Sequence, residues 1–495
     1  MIDLYPHQIQ GAAFLSSRKF AGLFAGMGTG KTLTSLEAVR RVWNKVDLGD
    51  VLNTISPTKT PFTDYVDGDR DYFEWPVITR ADPAAPKPCP NRRRVLIIAP
   101  PIALPMWLRE TRDYLDVSAD VSGILKTGKT SIKVDQQILV VSYAIAAKRS
   151  EELRDWVAEG VVIADESHAL KSAKAKRTKA ILGRGGVVSL AAHSWMLTGT
   201  PITRWNDDMF AFLCRADRKG MVERSMATSE RFQLRYTVRQ SRKFAGARFP
   251  VQMVVGNRNT DELADWVYGE GHALRFDLDE VFKDMPPLTV NSYTIGLDAD
   301  PELKAMLKEL ERQSISDLRQ KLEAKEPALA TVRRRLGVAK VKAAAQEIKD
   351  RVESGQKVLV GAWHTAVIDE LHAALGGCTR AVIDGRTSAA SRETTVSEWN
   401  LGNVEVLIGQ IAAMGVSLNL QQGGNQIIVV EEDWSPSVMD QFYARLWRFG
   451  QEKHVHVDVL QSESKLDAAL SNISSTKRRQ HQIFNNIGKA HTDAK

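Results

Sequence analysis

Short aliphatic runs recur along the chain, each bounded by turn residues and followed by a stretch with helical spacing, a pattern that predicts βα units and parallel sheets. The runs fall into two sets. The first covers Ala21–Ala25, Val95–Ala99, Ile138–Ser142, Val161–Ala164 and Ser194–Leu197; the second covers Lys357–Trp363, Ala381–Asp384, Val404–Ile408, Gln426–Glu431 and His454–Leu460. Two α/β lobes in tandem are expected, the first over 1–285, the second with its linker helices over 286–470, and a polar, basic tail over 471–495. Residues 216–350 are charge-dense and read as mostly helical, with Leu303, Met306, Leu310 and Leu318 as one apolar stripe. Seven of the 18 prolines crowd between Pro57 and Pro90, which marks 47–92 as an insertion or long loop.

A length of 495 residues excludes a single small module, and 43% hydrophobic with 26% charged residues excludes a disordered chain. The longest uncharged apolar stretch, Val95–Leu108, is 14 residues with three prolines, too short and too broken to span a bilayer. No secretion signal is visible at the start, and three widely spaced cysteines, Cys89, Cys214 and Cys378, fit a reducing cytoplasm without a disulfide or zinc framework. The net charge of +7 favours a polyanionic partner.

Residues 25–32, Ala-Gly-Met-Gly-Thr-Gly-Lys-Thr, lie between an apolar strand and an amphipathic helix, the context of a P-loop. Gly26, Met27, Gly28, Thr29 and Gly30 would turn backbone N–H groups onto phosphate oxygens, Lys31 would reach the β- and γ-phosphates, and Thr32 would ligate Mg²⁺. The strand at Val161 ends in Asp165-Glu166-Ser167-His168, where open α/β sheets bind ligands. Asp165 is placed to hold Mg²⁺ and Glu166 to orient or deprotonate the attacking water. His168 is positioned to relay nucleotide state to Leu197-Thr198-Gly199-Thr200-Pro201, although by composition alone that segment is also an ordinary turn. Ser437–Gly450 reads as a helix with Met439, Phe442, Leu446 and Phe449 on one face and Gln441, Arg445 and Arg448 on another, two guanidiniums able to reach a triphosphate across a cleft. The loop around Gly415 and Asn419, and Trp434 after the following strand, are candidates for phosphate or nucleic-acid backbone; Trp434 reads equally well as a packing anchor.

In order and spacing these segments resemble the Snf2 family of superfamily 2 ATPases, from Leu4 to Leu460. Leu4–Gly11 resembles the adenine-reading segment, with Gln8 as the adenine contact; GMGTGKT, the DESH tetrapeptide and LTGTP resemble motifs I, II and III. Ile98-Ala99-Pro100 with Trp107 and Glu110 resembles motif Ia, and Val141-Ser142-Tyr143 resembles motif Ib. Asp384-Gly385 with Arg392, the 409–420 loop, Asp433-Trp434 and the Gln441–Gln451 stretch resemble motifs IV to VI. Leu336-Gly337-Val338-Ala339-Lys340 and Trp363-His364 are similar to the branch that includes annealing helicases. Ser167, and the Thr203-Arg204 pair after motif III, depart from common family patterns.

The resemblance implies two RecA-like lobes with helical insertions between them, hydrolysis of ATP with Mg²⁺ at the interlobe cleft, and translocation on duplex DNA, with single-stranded or forked DNA as further substrates. It implies nucleic-acid contacts at Pro100, Ser142, Tyr143, Arg392, Asn419 and Trp434, to which the charge pattern adds Lys171 in the run Lys171, Lys174, Lys176, Arg177 and Lys179, and the cluster Arg333–Arg335; by composition both runs read first as solvated charge. A monomeric, near-minimal motor of bacterial or bacteriophage type, working in the cytoplasm or on the nucleoid, is the expected context. A strand-separating DNA or RNA helicase and a nucleotide-switched nucleic-acid clamp are the alternatives.

Overall fold

The computed structural model describes residues 3–44, 93–242, 249–323, 326–414, 418–433, 435–475 and 484. The 47–92 insertion, Gly415, Trp434 and nearly all of the tail therefore lie outside the described residues. The chain divides into two units at Asp277 and Leu278, and the first unit also takes in Phe484.

In the first unit the strands are β1 (Phe20–Ala25), β2 (Val95–Ala99), β3 (Ser122–Leu125), β4 (Ile138–Ser142), β5 (Val161–Asp165), β6 (His193–Leu197), β7 (Thr237–Arg242), β8 (Val251–Asn257) and β9 (Ala273–Phe276). Seven of them form one sheet in the order β3-β4-β2-β5-β6-β1-β9, every pair parallel. β2 and β4, the continuous aliphatic runs VLIIA and ILVVS, are buried at every position, as strands covered by helices on both faces must be. Phe484, 1% exposed, sits in this unit's core against Tyr268, ring centroids 5.4 Å apart.

The second unit holds β10 (Leu288–Thr294), β11 (Val358–Ala362), β12 (Arg380–Ile383), β13 (Val406–Gln410), β14 (Gln426–Val429) and β15 (Val455–Gln461). They pair in parallel in the order β10-β15-β14-β11-β13-β12. Both expected parallel-sheet lobes are thus present. The 216–350 stretch differs from its helical reading, because it contains β9, β10 and an antiparallel ribbon of β7 with β8. Its apolar stripe packs as expected: Leu303, Leu310 and Leu318 are buried in one cluster with Leu466 and Leu470, and Met306 lies against it.

The 27-residue helix Pro327–Glu353 is anchored to the second unit by residues spaced along one face. Arg333 donates to the Glu432 carbonyl at 2.6 Å, a Cβ on Gly337 would stand 2.4 Å from Glu431 Oε1, and Lys340 Nζ lies 2.7 Å from Asp467 Oδ2 and 2.9 Å from the Leu460 carbonyl. Lys340 is 3% and Asp467 9% exposed, so each charge depends on the other. Removing one partner of such a pair leaves a buried, uncompensated charge. Lys340→Ala is expected to destabilise the second unit by about 3–5 kcal/mol, read from the denaturant transition of the full chain. Adding Asp467→Asn is expected to recover part of that loss, and a strictly additive double variant would refute the coupling.

Candidate nucleotide and coupling site

β1 delivers its last residue, Ala25, to a loop that only glycine-rich sequence can close. Gly28 and Gly30 have φ of +79° and +82°, left-handed conformations that side chains disfavour. Gly30 caps the helix Lys31–Trp43, so the loop's N–H groups and the helix N-terminus converge, the arrangement that holds phosphate. The loop is fixed from outside as well as within. Gly26 N donates to the Phe276 carbonyl of β9 at 2.8 Å, Thr29 Oγ1 to the Gly26 carbonyl at 2.9 Å, and His7 Nε2 lies 2.8 Å from the Thr29 carbonyl. Lys31 Nζ donates to the carbonyls of Ala25 and Gly26 at 2.9 and 3.0 Å. Gln8 is buried against the same loop: a Cβ on Gly30 would lie 2.1 Å from its Nε2. Met27 stands beside Gly199 of the LTGTP segment, and Thr32 is half-buried in the helix's first turn.

β5 ends at Asp165. Its Oδ1 accepts the Glu166 backbone N–H at 3.0 Å, its Oδ2 accepts the Trp107 indole N–H at 2.8 Å, and its carbonyl accepts the Tyr143 hydroxyl at 2.6 Å. Burial, together with the adjacent Glu166 carboxylate, pushes the Asp165 carboxyl up to about 6, while the Trp107 hydrogen bond and the Lys31 charge oppose that rise. Glu166 has φ +51°, a left-handed backbone in a non-glycine residue of the kind concentrated at functional sites. Its Oε2 lies 3.2 Å from His168 Nδ1, which is also 3.1 Å from Thr198 Oγ1; that hydroxyl in turn accepts from Thr200 N at 3.1 Å. The expected coupling residues His168, Thr198 and Thr200 therefore form one connected chain starting at Glu166. The Thr200 hydroxyl is buried with no hydrogen-bond partner among the described residues, an orphaned polar atom beside the loop.

The sheet order explains the juxtaposition. β5, β6 and β1 are consecutive parallel neighbours, so the acids, the LTGTP segment and the glycine loop emerge side by side at the carboxyl end of the sheet. Lys31, Thr32, Asp165 and Glu166 thus supply an ammonium, a hydroxyl and two carboxylates around a glycine loop, a donor set that suits a nucleoside triphosphate with Mg²⁺.

In the second unit the helix is shorter than its amphipathic pattern predicts. It spans Pro436–Tyr443, and the chain continues in turns, with Arg445 N bonded to the Phe442 carbonyl and Leu446 N to that of Tyr443. The competing interaction is with the 418–420 segment: Leu420 N donates to the Arg445 carbonyl, and the guanidiniums of Arg445 and Arg448 both donate to the Leu418 carbonyl at 3.2 Å. Arg445 Nε also donates to the Gln441 carbonyl at 2.8 Å, and Arg445 is 6% exposed. Phe449 leaves the apolar face, half-exposed, and rests against Phe282 at 5.0 Å.

Of the residues expected at nucleic acid, Pro100 is half-buried at the end of β2 and Asn419 is exposed. Ser142 and Tyr143 are buried and committed inward, Ser142 accepting from Ile145 N as a helix cap and Tyr143 holding the Asp165 carbonyl. The structure thus places these two side chains largely inside the unit, 8% and 7% exposed. Lys171 donates to the Thr203 hydroxyl, and Arg392 to the Asp384 carbonyl at 3.4 Å.

Glu431 carries weight that sequence reasoning did not assign, and Arg333, expected in a basic cluster at the DNA surface, is 7% exposed and donates to the Glu432 carbonyl. Glu431 Oε2 accepts the backbone N–H groups of Trp363 and His364, its Oε1 lies 2.6 Å from His364 Nδ1, and Arg333 stacks over Trp363 at 5.6 Å. Leu336–Lys340 and Trp363-His364, two stretches noted only for their resemblance, meet around this carboxylate. Asp217, Glu270 and His272 also stand close, with ligand atoms within 4.8 Å of one another, but Arg224 ion-pairs with both carboxylates and already brings the charge a cation would supply.

Residues 7–223 match the SNF2-related domain family and residues 339–450 the helicase conserved C-terminal domain family. The chain is similar to a SWI/SNF-related matrix-associated actin-dependent regulator of chromatin subfamily A-like protein 1 of Xenopus tropicalis, 25% identical over 75% of this chain and 38% of the relative. It is also similar to the human DNA annealing helicase and endonuclease ZRANB3, 24% identical over 76% of this chain and 35% of that one. It thus spans well under half the length of these two relatives. Among solved structures, the Sulfolobus solfataricus SWI2/SNF2 ATPase core in complex with dsDNA is 18% identical, covering 99% of this chain and 95% of that one, with a TM-score of 0.39. With the SNF2-related and helicase C-terminal domains matched in order on two parallel-sheet units, the chain belongs to the Snf2 family of superfamily 2, helicase-like ATPases.

Proposed function

We propose that this protein is an ATP-driven motor that moves along duplex DNA, working as a monomer in the cytoplasm. The observation that carries the reading is the carboxyl end of β5, β6 and β1, where a phosphate loop, a hydroxyl-bearing relay and two acids stand on consecutive strands. Bound Mg²⁺ would neutralise charge that develops on phosphoryl transfer. Thr32 and Asp165 hold that ion, Lys31 pairs with the phosphates, and Gln8 reads the adenine. Glu166 orients the attacking water and takes its proton, and its contact with His168 passes the loss of the γ-phosphate to Thr198 and Thr200. Arg445 and Arg448 stabilise the transferring group, and Gln441 and Gly415 complete the nucleotide contacts. Pro100, Lys171, Arg392, Asn419 and Trp434 serve the DNA backbone, where contact to phosphate gives affinity without sequence preference. Annealing or branch migration fits the likeness to the annealing helicase.

Steady-state ATPase assays without nucleic acid and with duplex, single-stranded, forked DNA or RNA test this reading. Duplex is expected to stimulate most, and the effect is expected to fall steeply with salt as phosphate contacts are screened. Stimulation confined to single strands or RNA would replace the translocase with a strand-separating helicase.

Lys31→Ala, Glu166→Gln and Arg448→Ala are each expected to abolish turnover, with losses on the order of 10³-fold or more for the arginine, while DNA affinity in filter binding stays close to that of the parent. Parental rates in Glu166→Gln would remove that residue from the chemistry.

A further inference from the structure

Trp107 lies in the helix Leu104–Leu115, is 0% exposed, and spends its one polar atom on Asp165 Oδ2 at 2.8 Å. A buried indole seeks an acceptor, so the bond could simply satisfy the tryptophan. The rest of the unit argues otherwise. Trp156 and Trp195 are also buried, and their Nε1 atoms find no acceptor among the described residues. This unit therefore tolerates unsatisfied indoles, and the contact at Trp107 is better explained by what Asp165 needs.

Asp165 needs a fixed orientation with its charge intact. A carboxylate held by lysine or arginine is oriented but neutralised, which weakens it as a ligand for a cation. An indole N–H is a neutral, donor-only group that carries no ionisable charge. Here it takes one lone pair of Oδ2 while the Glu166 N–H takes one of Oδ1, so each oxygen keeps capacity toward a cation. The helix carrying the indole is itself tied down, Thr111 Oγ1 donating to the Trp107 carbonyl at 2.6 Å.

We infer that Trp107 is a positioning residue for the metal ligand: its indole N–H locks the Asp165 carboxylate in the orientation that binds the nucleotide's divalent cation. The inference rests on the proposed Mg²⁺–ATP reading of the loop and acids. Partners that orient metal ligands typically set metal affinity by about 10–100-fold.

ADP-dependent Mn²⁺ binding, followed by electron paramagnetic resonance on the full chain, tests it. Trp107→Phe keeps an aromatic ring and removes the donor. It is expected to weaken Mn²⁺ binding about 10–100-fold while ADP affinity in EDTA and the far-ultraviolet dichroism stay unchanged. Unchanged Mn²⁺ affinity in a folded Trp107→Phe overturns the inference. Parent protein that binds no Mn²⁺ with ADP overturns instead the nucleotide reading beneath it. Should Trp107→Phe not fold, indole ¹⁵N spectra of the parent decide: stoichiometric Mn²⁺ with ADP must broaden at least one indole N–H, and a spectrum with none broadened overturns the inference.

Discussion

Ionising a carboxylate inside a protein is costly, and several elements of the first unit converge on one such group, Asp165. Burial and the neighbouring Glu166 both favour the protonated acid, whereas the proposed role as a cation ligand requires the anion. The surroundings meet that cost with directed groups. A backbone N–H and an indole N–H approach the two oxygens, a tyrosine hydroxyl pins the carbonyl, and the Lys31 charge acts from the phosphate loop. The strands and helices that supply these groups, β2 with its following helix, β4 with Tyr143, and β1 with its loop, are in turn held by a sheet whose central runs are buried at every position. Packing and chemistry therefore meet at one residue.

The same sheet order sets which segments meet the LTGTP stretch. Because β6 lies between β1 and β5, the LTGTP segment touches both the loop, through Gly199 beside Met27, and the acids, through His168. The strained backbone at Glu166 sits where that chain begins. In the second unit the analogous convergence is on a backbone atom, the Leu418 carbonyl, which accepts from both arginines. Each unit thus prepares its charged groups through contacts of its own.

Legibility in the sequence followed burial. β2, β4 and β5 each open on four consecutive aliphatic residues, and their boundaries could be read almost to the residue. β10, LTVNSYT, lies at a sheet edge with most positions exposed, and β3 (SGIL) and β9 (ALRF) carry only two consecutive aliphatic residues each, against three in β12 and β14, which were legible. The site was legible where glycine spacing or strand-end acids impose it, at Gly28, Gly30, Lys31, Asp165 and Glu166. It was not legible where long-range contacts decide. Nothing local shows that Tyr143 points at Asp165, that Arg445 turns toward Leu418 and ends the helix early, or that Glu431 gathers Trp363, His364 and Gly337.

The burial of Phe484 bears on the order in which the protein is made. Its ring belongs to the core of the first unit, against Tyr268, but it is encoded after residues 278–480, which build the second. A ribosome releases the second unit's strands before it supplies the side chain that completes the first unit's interior. The core beside Tyr268 can therefore be completed only after residues 278–480 have been synthesised, although the rest of the first unit precedes them in the chain.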